Sequence, residues 1–305
     1  MKNKMIMLVG LQASGKSYQA KVLAKKYNAK IFSSDEYREK LLGSELDQSS
    51  NSKIFDQLNT DIINELTSGN SIIFDACNLN SRKRRAFLQK IKKIDCEKIC
   101  VVIARKLENC IKANEERERT VPRDSIINYY KSFQMPYLEE GWDKIEVIYT
   151  DKDGESIPVT SYDFKFINYE QDSKYHSQTL GTHLWMAAAH VRNKCKDDKY
   201  FNELYEAAKL HDIGKPFCRT IKNKKGIEDG NAHYYGHECV GAYESLFVKY
   251  DKDVDKQLIA FLINNHMRPL NWNNGLKAMN RDRENFGKEK FELILKLNEA
   301  DIESH

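Results

Sequence analysis

The sequence predicts an α/β domain, with a parallel sheet flanked by helices, followed by an all-helical domain. In the first half, short apolar runs such as MIMLVG and SIIFDAC alternate with segments of helical periodicity, as in the crossover units of a parallel sheet. Beyond residue 173 the strand signals fade, and five segments carry apolar residues at helical spacing. A polar stretch separates the two patterns. We therefore expect a first domain over 1–150, a linker over 151–172 and a second domain over 173–305.

The composition is that of an ordinary globular protein. The chain has 305 residues, of which 41% are hydrophobic and 31% charged, and about 150 residues per domain predicts two domains. No apolar run approaches the roughly 18 residues that span a bilayer, so we expect no membrane partner. The first apolar run leads into a glycine-lysine loop without a small-residue cleavage site, which predicts a cytoplasmic protein. Seven cysteines without a C-x-x-C pair indicate free thiols.

Basic residues are concentrated in the first half. Residues 1–150 contain 26 Lys or Arg against 20 Asp or Glu, whereas the remainder contains 23 against 25. One predicted helix, SRKRRAFLQKIKK, is a plausible electrostatic footprint for a polyanion, and a solvated helix face is the simpler alternative. Its basic residues are Arg82, Lys83, Arg84, Arg85, Lys90, Lys92 and Lys93.

A phosphate-binding loop follows the first predicted strand. The segment GLQASGKS, from Gly10 to Ser17, fits the pattern G-x-x-x-x-G-K-[ST] and directly precedes a predicted helix. Gly10 and Gly15 let backbone N–H groups turn toward phosphates, and the helix adds its positive end. Lys16 would bridge the β- and γ-phosphates, and Ser17 would hold Mg²⁺. The sequence therefore predicts ATP and Mg²⁺ as cofactors.

Polar residues after the next strands are candidates for phosphoryl transfer. Asp35 ends a strand and could accept a proton from a hydroxyl, while Arg38 could clamp a phosphate. An equally good interpretation is that Asp35 caps a helix and Arg38 is solvated. Asp75 ends an apolar run, where a carboxylate near the metal is expected. Arg117 and Arg119 lie in a charged segment suited to a lid, although single arginines are more often surface residues.

Residues 1 to about 150 resemble the kinase domain of phage-type 5'-hydroxyl polynucleotide kinases. The resemblance runs in order through GLQASGKS, SSDEYREKL, FDACNLNSRKRR, NEERERTVP and EEGWDKIEVI. It implies Asp35 as general base, Arg38 as clamp on the acceptor-side phosphate and Arg117, in preference to Arg119, as the lid arginine. Small-molecule kinases of the wider P-loop group share the pattern, so the kinase is better supported than its nucleic-acid acceptor.

Histidines and aspartates recur along the second half. The pair His211–Asp212 follows a small, apolar helix and would place an imidazole and a carboxylate together, a donor set that suits Mn²⁺, Fe, Ni²⁺, Co²⁺ or Zn²⁺. Each such residue, taken singly, is more often a buried core histidine or a helix-end carboxylate than a ligand. The remaining candidates also lie in or beside amphipathic helices that could converge on one centre, and they are His183, His237, His266 and Asp301.

Residues 173–305 resemble the HD phosphohydrolase superfamily. The phrases YHSQTLGTHLWMAAAH, AAKLHDIGKP, GHECVGA and LNEADIES look most like the HD domains of CCA-adding tRNA nucleotidyltransferases and their relatives. The resemblance implies metal-assisted hydrolysis, with Lys215 and Arg268 as candidate phosphate contacts. It implies His183, His211, Asp212 and Asp301 as core ligands, and His237 and His266 as a further pair in members with two metals. One or two divalent metals are thus both open.

A kinase joined to a metal phosphoesterase suggests one end-healing enzyme. Transesterification by a ribonuclease leaves a 5'-hydroxyl and a 2',3'-cyclic phosphate, which a ligase cannot join. The first domain would phosphorylate the 5' end and the second would remove the 2',3'-cyclic, 2'- or 3'-phosphate. The expected partners are RNA or DNA ends, RNA in preference, and a ligase acting afterwards. The alternatives are a small-molecule or nucleoside kinase fused to an HD nucleotidase, and an HD domain that is a non-catalytic RNA-binding module.

Overall fold

The computed structural model describes residues 2–44, 51–151, 154, 157–158, 166–172 and 178–304. The chain divides into two compact units, Met1–Tyr129 with Leu138–Lys152, and Tyr130–Tyr137 with Asp153–His305. Half of the predicted linker and the first five residues of the predicted second domain lie outside the described residues. Within the described part of the chain, no helix is long and apolar enough to cross a membrane, and all seven cysteines are free thiols.

The first unit is built on a five-stranded sheet. Its order is β2-β3-β1-β4-β5, and each neighbouring pair is parallel, which confirms the predicted parallel sheet with flanking helices. Long apolar runs form the central strands because helices cover both faces of such a sheet. The strands are β1 (Lys4–Val9), β2 (Lys30–Ser33), β3 (Ile72–Asp75), β4 (Glu97–Ala104) and β5 (Lys144–Tyr149).

Helices connect the strands of this sheet. Ala20 and Leu23 of the first helix pack against Ile6, Leu8 and Ile103 of the strands to form one hydrophobic cluster. The helices are α1 (Lys16–Tyr27), α2 (Ser34–Leu42), α3 (Asn51–Thr67), α4 (Ser81–Lys90), α5 (Leu107–Glu115) and α6 (Arg123–Tyr130), with a short 3₁₀ turn at Leu138–Glu140.

The basic segment that begins at α4 is only partly exposed, so neither a polyanion footprint nor the simpler solvated helix face includes all seven of its cations. Arg84 is buried and forms a two-bonded ion pair with Glu140, with Nε–Oε2 and Nη2–Oε1 distances of 2.8 and 2.6 Å. Its Nη1 also donates to the carbonyls of Asn78 and Leu79. A buried arginine with these bonds made holds the fold together and is not open to a nucleic acid. The exposed cations are Arg82, Lys83, Lys90, Lys92 and Lys93.

The second unit is mainly helical. Its helices are α7 (Leu180–Lys194), α8 (Phe201–Leu210), α9 (Lys215–Cys218), α10 (His237–Ser245), α11 (Lys256–Asn265) and α12 (Leu276–Ile302), with a 3₁₀ turn at Pro269–Asn274. The segment Tyr130–Tyr137, which the sequence assigned to the first domain, packs within this unit. The rings of Tyr130 and Phe133 contact Tyr243 edge-on, and Tyr137 contacts Phe261, so aromatic burial draws the segment in.

Short strands interrupt the helices of the second unit, where the sequence predicted helices alone. β7 (Thr220–Lys222) and β8 (Glu228–His233) form an antiparallel hairpin. β6 (Ile157–Pro158) pairs in parallel with β9 (Val248–Lys249). The hairpin strand EDGNAH lacks the alternating apolar residues that mark a strand, because only one of its six residues, Ala232, is buried.

Candidate active sites

The phosphate-binding loop joins β1 to α1 at the carboxyl edge of the sheet. Ala13 and Gly15 both have positive φ, 58° and 95°, so the backbone turns sharply before the helix begins at Lys16. At Gly10 a Cβ would lie 2.7 Å from the carbonyl oxygen of Ile103, so only glycine lets the loop pass β4 this closely. The sequence motif therefore forms the cradle that phosphates require.

The side chains of the loop are already directed at its interior. Lys16 is buried, and its Nζ donates to the carbonyl of Leu11 at 2.6 Å. The hydroxyl of Ser17 donates to Asp75 at the end of β3. Burial raises the pKa of Asp75, while the Ser17 bond and the charge of Lys16 oppose that rise. A buried carboxylate beside a hydroxyl and an ammonium fits the oxygen donors that Mg²⁺ prefers.

Asp35 lies at the same edge of the sheet. Because β2 and β3 are parallel neighbours, their carboxyl ends place Asp35 and Asp75 on one side. Ser33 caps α2 by accepting from the N–H of Glu36, so the cap is not Asp35. The carboxylate is 46% exposed and its Oδ1 lies 2.6 Å from Nη1 of Arg38. An accessible carboxylate at a strand end can receive a proton from an acceptor hydroxyl.

The two lid arginines have different partners. Arg119 donates from Nη1 to Oδ2 of Asp35 at 2.9 Å, across 84 residues of sequence. Arg117 donates from Nη2 to Oδ1 of Asn114 at 2.6 Å, within its own segment. The sequence-based hypothesis chose Arg117, whereas the structure brings Arg119 to Asp35. Arg119, and not Arg117, therefore lies beside the candidate general base.

This geometry gives a test between the two arginines. Arg119→Ala should lower kcat/KM for phosphoryl transfer by about 100-fold, because it removes a guanidinium beside Asp35. Arg117→Ala should lower kcat/KM by about 10-fold or less, because the bond of Arg117 to Asn114 stays within its own segment. Steady-state transfer of γ-phosphate from radiolabelled ATP measures both. A larger loss for Arg117→Ala would restore the sequence-based preference.

Two residues that the sequence did not single out hold the loop from outside. Arg105, directly after β4, donates from Nη1 to the carbonyl of Ala13 at 3.1 Å. Thr150, directly after β5, donates from its hydroxyl to the carbonyl of Ser14 at 2.9 Å. The sequence could have indicated both residues, because each follows one of two neighbouring parallel strands directly and the ends of those strands meet at the same edge of the sheet.

All six metal-ligand candidates of the second unit converge. Each is buried, and they come from five separate places in the chain: His183 on α7, His211 and Asp212 after α8, His237 at the start of α10, His266 after α11 and Asp301 near the end of α12. Their ligand atoms form two groups, His183–His211–Asp212–Asp301 and Asp212–His237–His266, each with all atoms within 4.8 Å of one another.

In the first group two imidazoles and two carboxylates face one point. The Nε2 atoms of His183 and His211 are 3.0 Å apart. Oδ1 of Asp301 lies 3.2 and 3.3 Å from these two nitrogens. Oδ2 of Asp212 lies 3.4 and 3.5 Å from them. Two nitrogens and two carboxylate oxygens are a donor set for a divalent transition metal.

Asp212 also belongs to the second group through its other oxygen. Oδ1 lies 3.1 Å from Nε2 of His237 and 3.6 Å from Nε2 of His266. The close approach of the Asp212 loop to α10 depends on Gly214, where a Cβ would meet the carbonyl oxygen of His237 at 2.1 Å. One carboxylate thus joins the two groups, with one oxygen facing each.

The hydrogen bonds of the rings direct their lone pairs inward. Nδ1 of His211 faces the carbonyl of Ala208 at 2.9 Å, and Nδ1 of His237 and His266 face carbonyls at 2.8 and 2.7 Å. A neutral ring that donates from Nδ1 presents an unprotonated Nε2. Oδ1 of Asp212 is buried and has no hydrogen-bond donor among the described residues. This orphaned oxygen among inward lone pairs fits a bound cation.

Charge at the cluster supports the same conclusion. Burial lowers the pKa of His183, but its bonds to Asp212 and Asp301 outweigh burial and raise the pKa to about 9. Burial lowers the pKa of His211, and its contacts with Asp212 and Asp301 oppose that shift without overcoming it. The two carboxylates thus favour positive charge at His183, and a divalent cation would satisfy them in the same way.

The two candidate phosphate contacts are both engaged. Lys215 is buried, with Nζ 2.6 Å from Oδ2 of Asp212 and 2.7 Å from Oε1 of Gln171, so it orients the shared carboxylate. Arg268 lies 3.6 Å from Asp282 and donates to Asn265. Neither is placed by these contacts as an open phosphate ligand.

His183 is oriented by a residue that the sequence did not predict. The Nδ1 atoms of the other three rings face carbonyls three residues earlier, whereas Nδ1 of His183 lies 3.0 Å from Oγ and 3.3 Å from the carbonyl oxygen of Ser304, 121 residues away. Ser304 is buried and its hydroxyl donates to the carbonyl of Asp301. No local pattern could have shown this contact, because it depends on the packing of α12 beside α7.

The Ser304 contact predicts a change in metal affinity. Ser304→Ala should weaken Mn²⁺ binding by about 10-fold, because the His183 ring loses the nearer of its two partners and keeps only the carbonyl of residue 304 at 3.3 Å. Isothermal titration with Mn²⁺ measures the change. Ser245→Ala is the matched control, since Ser245 is also buried and donates to a carbonyl three residues earlier. Equal affinities for the two variants would show that Ser304 does not position His183.

Comparison with known proteins agrees with the geometry of the first unit. Residues 5–136 match the family model described as an AAA domain. The L-seryl-tRNA(Sec) kinase of Methanococcus maripaludis is 30% identical over 144 residues. The first unit is thus similar to an AAA domain and has a relative that is named as a kinase. That match covers 46% of this chain and 56% of the relative, so the chain spans little more than half of the curated protein it matches.

Solved structures show similarity over about the same share of the chain. A chain of the Pnkp1/Rnl/Hen1 RNA repair complex is 19% identical, with a TM-score of 0.39, over 42% of this chain and 43% of its own length. A gluconokinase from Sinorhizobium meliloti is 13% identical, with a TM-score of 0.37, over 49% of this chain and 83% of its own length.

Proposed function

We propose that the protein is a bifunctional nucleic-acid end-healing enzyme, an ATP-dependent 5'-hydroxyl polynucleotide kinase and a metal-dependent 2',3'-phosphoesterase and phosphatase. One observation carries the proposal: a single chain holds a phosphate-binding loop with an acceptor acid and a buried double cluster of histidines and aspartates. RNA is the proposed substrate, and the relative named as a kinase of L-seryl-tRNA is compatible with an acceptor carried on RNA. A ligase would use the healed ends.

In the kinase step Asp35 acts as general base. Its carboxylate accepts the proton of the 5'-hydroxyl while the oxygen attacks the γ-phosphorus, and the bond to the β,γ-bridging oxygen breaks so that ADP leaves with the electron pair. Lys16 leaves the carbonyl of Leu11 and binds phosphate oxygens. Arg119 moves its charge from Asp35 to the transferring group, and Arg38 holds the acceptor-side phosphate.

Ser17 and Asp75 are the residues that would hold Mg²⁺ beside the loop. Their mutual hydrogen bond and the burial of Asp75 place a hydroxyl and a carboxylate oxygen together. When bound, Mg²⁺ neutralises charge on the β- and γ-phosphate oxygens. The remaining work of the loop, the backbone cradle and the Lys16 charge, belongs to the chain itself.

In the second unit the six clustered residues would hold one or two divalent transition metals. When bound, such a metal lowers the pKa of a water molecule so that it can attack phosphorus at neutral pH. The chain positions the donors: the backbone carbonyls orient three rings, Ser304 orients His183, and Lys215 orients Asp212. Burial of the cluster excludes other water and strengthens each charge interaction.

A second candidate is a small-molecule kinase fused to a nucleotidase. The burial of Arg84 favours it, because the basic segment then offers fewer cations to a polynucleotide. A non-catalytic second unit that binds RNA is the third reading, and the inward lone pairs beside the orphaned oxygen of Asp212 argue against it.

One assay tests the proposal. An RNA oligonucleotide with a 5'-hydroxyl and a 2',3'-cyclic phosphate is incubated with ATP, Mg²⁺ and Mn²⁺, and both ends are followed by mass. The 5' end should gain a phosphate and the 3' end should lose one. A nucleoside 3'-phosphate and a nucleotide serve as competing small substrates. Activity on these alone would support the second candidate, and no change at either RNA end would contradict end healing.

A further inference from the structure

Along the chain, a basic hairpin lies between two residues of the metal cluster region, Lys215 and His237. The segment 219–235, which contains β7 and β8, connects α9, which begins at Lys215, to α10, which begins at His237. Asn223 orders the tip of the hairpin, because its Oδ1 accepts from the N–H of Lys225 at 2.9 Å. Both flanking helices therefore begin at residues that contact Asp212, while most of the hairpin between them is exposed.

The base of the hairpin is tied to the second unit. Arg219 donates to the carboxylate of Asp172 at 2.7 Å, and the N–H of Ala232 donates to the Asp172 carbonyl at 3.1 Å. The hydroxyl of Tyr234 donates to the carbonyl of Gln171, whose side chain in turn accepts from the ammonium that pairs with Asp212. These bonds connect the hairpin to the cluster through consecutive contacts.

Three lysines of the hairpin, Lys222, Lys224 and Lys225, are exposed, and they form no ion pair with any carboxylate among the described residues. Of the two acidic residues in β8, Asp229 is bound by His233 at 2.9 Å, and Glu228 lies opposite Lys222 in the strand register. The three lysines outnumber Glu228, so the hairpin keeps a positive surface that attracts a polyanion.

An aromatic pair lies on the same hairpin. The rings of His233 and Tyr235 are stacked, with centroids 5.3 Å apart and planes 10° from parallel. Nζ of Lys224 lies 5.4 Å from the centroid of the Tyr235 ring, and Tyr235 is 38% exposed. Stacked rings beside lysines are the combination that binds single-stranded nucleic acid, because bases stack on the rings and phosphates meet the charges.

We propose that the hairpin 219–235 binds the single strand next to the 3' end that the metal cluster processes. This inference rests on the proposed function and adds its substrate class: a strand of several nucleotides, held by base stacking on Tyr235 and by phosphate contacts to the lysines. A mononucleotide would reach the cluster without using the hairpin. The hairpin thus favours a polynucleotide end over a free nucleotide.

The test removes the charges and measures binding. A Lys222→Ala, Lys224→Ala, Lys225→Ala variant of the full chain is titrated against a labelled ten-nucleotide RNA with phosphates at both ends. Its Kd should rise by about 10-fold or more, and the slope of log K against log salt should become shallower by about 2, because three phosphate contacts are lost from a single strand. A Lys194→Ala, Lys196→Ala, Lys277→Ala variant removes the same charge from exposed sites outside the hairpin and should keep both values.

A second pair of variants examines stacking. Tyr235→Ala should weaken RNA binding by about 10-fold, whereas Tyr235→Phe, which keeps the ring, should not. Neither should alter hydrolysis of a nucleoside 3'-phosphate or the content of bound Mn²⁺. Unchanged RNA affinity in both the lysine variant and Tyr235→Ala would overturn the hairpin proposal, even if the wild type heals 3' ends. Tight RNA binding by the wild type without hydrolysis would instead contradict the phosphoesterase.

Discussion

Replacing Asp212 with alanine should remove bound metal from both groups of the cluster at once. One oxygen of this carboxylate faces His183 and His211, and the other faces His237 and His266. Under the proposed function, loss of the shared donor should lower 3'-end activity by at least about 1,000-fold, because the positive charge that would stabilise the transition state is lost with it. The 5'-kinase activity should be unchanged.

Metal content after loading with Mn²⁺ distinguishes shared from separate ligation. His237→Ala should lose metal from the second group alone, whereas His211→Ala should lose it from the first group alone. Asp212→Asn keeps the volume of the side chain and is the second variant in case Asp212→Ala does not fold. Circular dichroism checks the fold of both variants. If Asp212→Ala retained as much Mn²⁺ as His237→Ala, the carboxylate would not join the two groups.

Under the proposed function, replacing Lys16 with alanine should abolish the kinase activity and spare the phosphoesterase activity. In the proposed kinase step the buried ammonium inside the loop meets the β- and γ-phosphates, and loss of one such donor costs about 100- to 1,000-fold in kcat. The metal cluster uses none of the loop residues, so 3'-end activity should stay within about twofold of wild type, a difference of about 0.4 kcal/mol.

The same RNA with a 5'-hydroxyl and a 2',3'-cyclic phosphate reports both ends in one mass spectrum. Lys25→Ala is the matched control, because Lys25 is exposed in the last turn of the same helix, at the end away from the loop. Phosphorylation of the 5' end by Lys16→Ala at the wild-type rate would show that the loop is not the donor site. Loss of activity at both ends would indicate that the substitution disturbs more than phosphate binding.

Features encoded in short stretches of sequence were predicted well. Alternating apolar runs and helical periodicities predicted the parallel sheet, because strands and helices each repeat over a few residues. The segment from Gly10 to Ser17 predicted a phosphate loop, because its strand, turn and helix are contiguous. The hairpin at 219–235 was missed, because exposed strands carry no apolar alternation.

Pairings between distant residues were decided by tertiary structure. The contact between Arg119 and Asp35 spans 84 residues, and that between Ser304 and His183 spans 121, so no local spacing could choose Arg119 over Arg117 or find Ser304. The burial of Arg84 against Glu140 likewise depends on where the later turn packs.

The amino-acid sequence by itself determined the two architectures, the loop and the six candidate ligands of the second unit. Tertiary structure alone decided that one carboxylate, Asp212, lies between two groups of histidines and that the segment Tyr130–Tyr137 packs with the second unit. The reason is physical: backbone periodicity is set by neighbouring residues, whereas the place where side chains meet is set by how whole helices pack against one another.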